Sequence, residues 1–116
     1  MRLTRLVACL VLLAVSLVSA QWLEKTIYLP DSLGGMTSPG CLAYNSANNT
    51  IYVGGDACVI AIDGATNQKV ARIPVASGVR AICYNQRNNK VYCADEMSDN
   101  VTVVDGATNS VIVTLA

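Results

Sequence analysis

The chain has 116 residues, eight Lys and Arg against eight Asp and Glu, 53% hydrophobic residues, and neither histidine nor phenylalanine. A zero formal charge and no basic run leave nothing to neutralise a phosphate backbone, which excludes nucleic acid as an expected partner. The missing histidine removes the ordinary Ser-His and Cys-His nucleophile pairs and any histidine-ligated copper or zinc centre.

Arg2 and Arg5 precede an apolar run from Leu6 to Val18 broken only by Ser16, and Val18-Ser19-Ala20 puts small residues at a cleavage position. Residues 1–20 therefore read as a signal peptide, and the mature chain is expected to be secreted, periplasmic or at the cell surface. The run is shorter than the roughly 20 apolar residues a membrane span needs, so no span is expected. Past Ala20 the chain is slightly acidic, with six basic residues against eight acidic.

Residues 21–40 are expected to hold one strand and a loop. Glu24 to Leu29 has strand composition and Pro30 stops it, while Lys25-Thr26-Ile27-Tyr28-Leu29-Pro30 matches Lys69-Val70-Ala71-Arg72-Ile73-Pro74 further on. Gly34, Gly35, Pro39 and Gly40 mark the loop.

From Cys41 the chain repeats itself. Cys41 to Asn45 returns as Ala81 to Asn85 and Asn48 to Val53 as Asn88 to Cys93, at an offset of 40; Val59 to Val70 returns as Val101 to Ile112, at 42. The two copies span 41–80 and 81–116, the second cut short. Each should form four short strands rich in Val, Ile and Tyr: Cys41–Asn45, Thr50–Gly54, Cys58–Asp63 and Lys69–Pro74, then Arg80–Asn85, Lys90–Ala94, Asn100–Asp105 and Ser110–Leu115. Helix loses because no window keeps three- and four-residue apolar spacing for ten residues.

The turns follow the same repeat. Ser46-Ala47-Asn48-Asn49 and Gln86-Arg87-Asn88-Asn89 offer asparagines that tolerate positive φ, suiting hairpins between first and second strands. In Asp63-Gly64 and Asp105-Gly106 the carboxylate is expected to accept backbone N–H bonds and the glycine to supply the left-handed residue. Their identity in both copies makes the two aspartates turn builders rather than a general acid and base.

These residues resemble the YVTN family of β-propeller repeats: Ile51-Tyr52-Val53 and Val91-Tyr92-Cys93 match its tyrosine-valine strand, and Asp63 to Asn67 and Asp105 to Asn109 its turn. The resemblance covers nearly all of residues 24 to 116, departing at Cys93 and at the longer loop Asp95-Glu96-Met97-Ser98-Asp99. It implies an all-β fold of two four-stranded antiparallel blades plus one N-terminal strand, a partial propeller whose opening strand closes the ring. It also implies a binding scaffold for a protein, glycan or cell-envelope partner. The alternative is the amino-terminal part of a propeller enzyme, lactonase-like or oxidoreductase-like, whose catalytic residues lie in further blades. Repeat arrays generally need about three units. The chain is therefore expected to be a fragment completed by further blades in cis, or a short chain that self-associates in trans.

No catalytic, cofactor-binding or metal-ligating set stands out, and no cofactor is expected. The weak candidates for a hard cation are Asp95, Glu96 and Asp99, which lack the glycine-punctuated spacing of a calcium loop. Their loop, through Asn100, alone changes length between copies and is the expected rim contact. Four cysteines follow the signal. For Cys83 two readings stand: a bridge to Cys93 across the hairpin, or, like Cys41, a small buried hydrophobe. The recurring tyrosines, Tyr28, Tyr44, Tyr52, Tyr84 and Tyr92, are expected to pack rather than to stack on a ligand.

Overall fold

The computed structural model describes residues 23–29 and 35–116. Strands β1 (Cys41–Asn45), β2 (Thr50–Gly54), β3 (Cys58–Asp63) and β4 (Lys69–Pro74) form one antiparallel sheet in that order. The second sheet repeats the pattern with β5 (Val79–Asn85), β6 (Lys90–Asp95), β7 (Asn100–Asp105) and β8 (Ser110–Leu115). Both are meanders, as short turns between antiparallel strands dictate. Most boundaries fall where strand and turn residues alternate in sequence. β5 starts earlier than expected, at Val79, because the Val79 N–H donates to the Gly55 carbonyl of the first sheet at 2.9 Å and is ordered by it.

The register sorts each strand into two faces. Tyr52 stands opposite Ala43 and Ala61, so one face of the first sheet carries Tyr52, Val59, Ala61 and Ile73. This face packs on Val79, Val91, Cys93 and Val104 of the second sheet, with β1 lying along β5. Each fully buried Val, Ile or Tyr contributes on the order of 1.5–3 kcal/mol. The only helical turn among the described residues is a single 3-10 turn, Glu96–Ser98. Among them no helix is long and apolar enough to cross a membrane. The signal peptide expected at residues 1–20 lies outside the described residues.

The expected strand at Glu24–Leu29 does not form: residues 23–29 pair with no strand among the described residues. Ile27, Leu29 and Met36 instead cover the other face of the first sheet, over Val53, Cys58, Ile60 and Ile62. A segment on a face has no ladder partner for its carbonyls. Here Lys69 Nζ serves, donating to the Tyr28 and Leu29 carbonyls at 2.6 and 3.2 Å.

The Cys83–Cys93 bridge is also ruled out. Cys83 pairs with Tyr92 and Cys93 with Ile82, so the two thiols sit one position out of step and point to opposite faces. All four described cysteines are free; Cys93 and Cys58 are buried, Cys41 is half-buried, and Cys83 is exposed rather than a core hydrophobe. Burial, with Asp95 and Cys41 nearby, pushes the Cys93 thiol up to about 12. Thiolate is the reactive form, so brief alkylation of the native protein at neutral pH should mark Cys83 first and leave Cys58 and Cys93 untouched. Mass mapping checks this, and early labelling of Cys93 would contradict the packing.

Candidate functional site

The two copies of the Asp-Gly turn are built alike. Asp63 Oδ1 accepts the Ala65 and Thr66 N–H groups at 2.7 and 3.0 Å, and Asp105 Oδ1 those of Ala107 and Thr108 at 2.7 and 3.1 Å. Bonds that favour the ionised form hold both carboxyls below the usual range. The left-handed residue, however, is asparagine: φ is +57° at both Asn67 and Asn109, and +55° and +51° at Asn49 and Asn89. Gly64 and Gly106 are needed for a different reason. Each N–H donates to the carbonyl of the neighbouring hairpin, Asn49 at 2.7 Å and Asn89 at 2.9 Å. A Cβ on Gly64 would stand 2.5 Å from Asn49 Oδ1, so only glycine leaves room.

In the second copy this turn becomes a lip against which the first sheet docks. Asn48 Nδ2 donates to the Gly106 carbonyl at 2.7 Å, and Asn45 Nδ2 reaches the same carbonyl at 3.3 Å and Asn89 Oδ1 at 3.0 Å. The Tyr52 hydroxyl donates to Asn109 Oδ1 at 2.6 Å. Asn45 and Tyr52 are 0% exposed, so every polar group they bring into the interface needs these partners. Sequence reasoning read the turns as local devices and missed that they join the copies. The available signal was that Asn-x-x-Asn-Asn and Asp-Gly-Ala-Thr-Asn recur together, at Asn45 to Asn49 with Asp63 to Asn67 and again at Asn85 to Asn89 with Asp105 to Asn109. Tyr28, by contrast with Tyr52, is exposed, so the tyrosines do not share one packing role.

At the opposite end, the loops after β2, β4 and β6 enclose an open cleft of about 430 Å³, lined by Gly55, Asp56, Gly78, Arg80, Glu96 and Met97 among others. Backbone bonds hold its floor, Gly78 N–H to the Asp56 carbonyl at 2.5 Å and Glu96 N–H to the Gly78 carbonyl at 2.9 Å. Gly78 takes φ +78°, and a side chain there would strike Met97. Arg80 Nε pairs with Glu96 Oε2 at 2.8 Å across the mouth, and Thr37 Oγ1 donates to Asp56 Oδ2. An exposed pair of this kind contributes little to stability and presents both charges to a ligand.

The candidate carboxylates do not converge. Asp95 is 1% exposed and its Oδ2 accepts the Thr102 hydroxyl at 2.6 Å; Glu96 is engaged by Arg80; Asp99 ends the 3-10 turn with φ +52°. Among the described residues no group of three His, Cys, Asp or Glu could hold a metal ion. The rim contact expected of the whole loop thus loses Asp95, which is buried and cannot meet a partner, and keeps the exposed Glu96, Met97 and Asp99.

Asp95 has a different consequence. It faces Asn100 in the β6–β7 register, and Oδ1 of each is buried without a hydrogen-bond partner among the described residues. Neither acceptor has a donor, and burial raises the Asp95 carboxyl above its usual range. The folded state therefore holds this proton more tightly than the unfolded chain. Its contribution favours folding at acid pH and is lost as pH rises from about 3.9, the unfolded value, through the raised one. Asp95→Asn supplies an N–H₂ donor and removes the buried charge, so it should stabilise by about 1 kcal/mol at pH 7. Thermal unfolding at pH 4 and 7 checks this: the gain should be larger at pH 7, and an equal or absent gain would contradict the assignment.

No family model matches the chain, and no curated protein matches it. Among solved structures it is similar to a chain of Kuenenia stuttgartiensis hydrazine synthase, with a TM-score of 0.63 and 18% identity. The match covers 81% of this chain and 26% of that one, so this chain spans about a quarter of that structure. The likeness is one of fold, an all-β arrangement of four-stranded antiparallel sheets.

Proposed function

We propose that the two sheets are consecutive blades of a β-propeller of the YVTN repeat type, and that the chain is a secreted, non-catalytic scaffold. It binds a protein, glycan or cell-envelope partner at the rim cleft. One observation carries this reading: the two sequence copies stack face to face through an identical turn at one end, while their variable loops meet around a shared cleft at the other. Constant turns serve assembly, and loops that change length serve recognition. The leader-like residues 1–20 support export, and the fold likeness is compatible with repeated sheets.

The test is binding of the purified chain to a glycan microarray and to isolated cell-envelope fractions. Arg80→Ala and Met97→Ala, both at exposed positions, should each weaken the strongest signal about tenfold with unchanged melting temperature. Absence of binding to every glycan and envelope fraction, or binding indifferent to both substitutions, would overturn the reading.

A further inference from the structure

The outward face of the second sheet is a copy of a surface that is already occupied elsewhere in the molecule. On the first sheet, Asn45, Asn48 and Tyr52 frame an apolar floor of Val59, Ala61 and Ile73 and hold the lip of the next copy. At the corresponding positions of the second sheet stand Asn85, Asn88 and Tyr92 over Val101, Val103 and Leu115. Val103 is buried, but Asn88 is exposed and Asn85, Tyr92 and Val101 are half-buried. Leu115 is 54% exposed, Val113 is 41% exposed, and a shallow hollow of about 230 Å³ lies between Cys83, Tyr92, Ala94 and Val101. With no lip to meet, Asn88 Nδ2 turns back to the Tyr92 hydroxyl at 3.1 Å.

The matching acceptor is present on the same chain. The first sheet carries its own lip, with the Gly64 carbonyl and Asn67 Oδ1 in the places of Gly106 and Asn109, and Asn49 in the place of Asn89. Asn49 accepts the Tyr44 hydroxyl at 3.2 Å, as Asn89 accepts that of Tyr84 at 3.2 Å, so the lip is preformed in both copies. Its apolar side, Val53, Ile60 and Ile62, is the surface that Ile27, Leu29 and Met36 cover.

We infer that a second copy of this chain docks on the outward face of the second sheet, presenting its Gly64–Asn67 lip to Asn85, Asn88 and Tyr92. Ile27, Leu29 and Met36 of the incoming copy leave its first sheet as it seats. Donor and acceptor lie on different surfaces, so the contact is head-to-tail and propagates beyond a dimer into a ring or a filament. This rests on the repeat reading above, but its test reads self-association and is indifferent to any rim ligand.

The experiment is sedimentation velocity over a concentration series with two half-blocked variants. Asn88→Asp sets a carboxylate against the lip carbonyl, and Asn67→Gly removes the acceptor while keeping the positive φ. Wild type should associate beyond dimer. Each variant alone should associate about tenfold more weakly, the worth of one hydrogen bond. Their equimolar mixture should recover wild-type pairing strength but stop at a 1:1 dimer, because only one competent surface of each kind remains. Leu115→Lys, at an exposed position, provides a second donor-side block and should behave as Asn88→Asp does. A wild type that stays monomeric at all concentrations, or association unchanged in all three variants, would overturn the inference.

Discussion

Gly106→Ala is expected to destabilise the protein by roughly 3 kcal/mol, lowering the melting temperature by more than about 10 °C. A Cβ at this position would collide with Asn89 Oδ1, stand 2.7 Å from the Asn89 carbonyl and 2.8 Å from Asn45 Nδ2. Two of those atoms belong to the bonds that join the sheets, so the turn cannot yield without withdrawing the Gly106 carbonyl from Asn45 and Asn48. Those buried donors would then go unsatisfied. Gly64→Ala meets Asn49 in the same way but breaks no contact between sheets, and should cost roughly half as much. Thermal or urea unfolding of the two variants side by side reads the difference. Equal losses would mean that the second lip supports nothing beyond its own turn.

The second large effect concerns two tyrosines that occupy the same place in the repeat. Tyr52 is 0% exposed and donates to Asn109, whereas the Tyr92 hydroxyl is a half-exposed acceptor for Asn88. Tyr52→Ala should cost about 3–5 kcal/mol, since it empties a ring-sized volume in the main core. Tyr52→Phe should cost about 1–2 kcal/mol by orphaning Asn109 Oδ1, and Tyr92→Phe less than about 0.5 kcal/mol. Chemical denaturation with unchanged slope would attribute each loss to the native state.

Much of the fold was legible in the residues because strand and turn signals here are local. Thr50-Ile51-Tyr52-Val53-Gly54 and Cys58 to Asp63 are apolar runs bounded by Asn and Gly, and they form β2 and β3 at those limits. What the sequence hid depends on contacts across distance. Lys25 to Pro30 has the composition of β4, yet strand formation needs an open partner edge, and the segment lies instead on a sheet face under Lys69. The Cys83–Cys93 pairing failed on parity, a one-residue offset that the hairpin register sets. Asp95 reads as a loop carboxylate, but it is the last residue of β6 and is buried with Thr102. The site was legible in part: the turn aspartates were recognisable from their recurrence, whereas the role of Gly106 as a lip for another sheet was not, because no local preference encodes it.

The central claim is that the recurring turn joins one copy of the repeat to the next, and a double-mutant cycle between Tyr52 and Asn109 tests it most directly. Tyr52→Phe removes the donor, and Asn109→Gly removes the acceptor while preserving the +57° φ. Urea unfolding of wild type, both single variants and the double variant gives the coupling between two residues that no strand pairing connects. A coupling of about 1 kcal/mol is predicted. Strict additivity, within about 0.3 kcal/mol, would contradict the claim that the lip holds the sheets together.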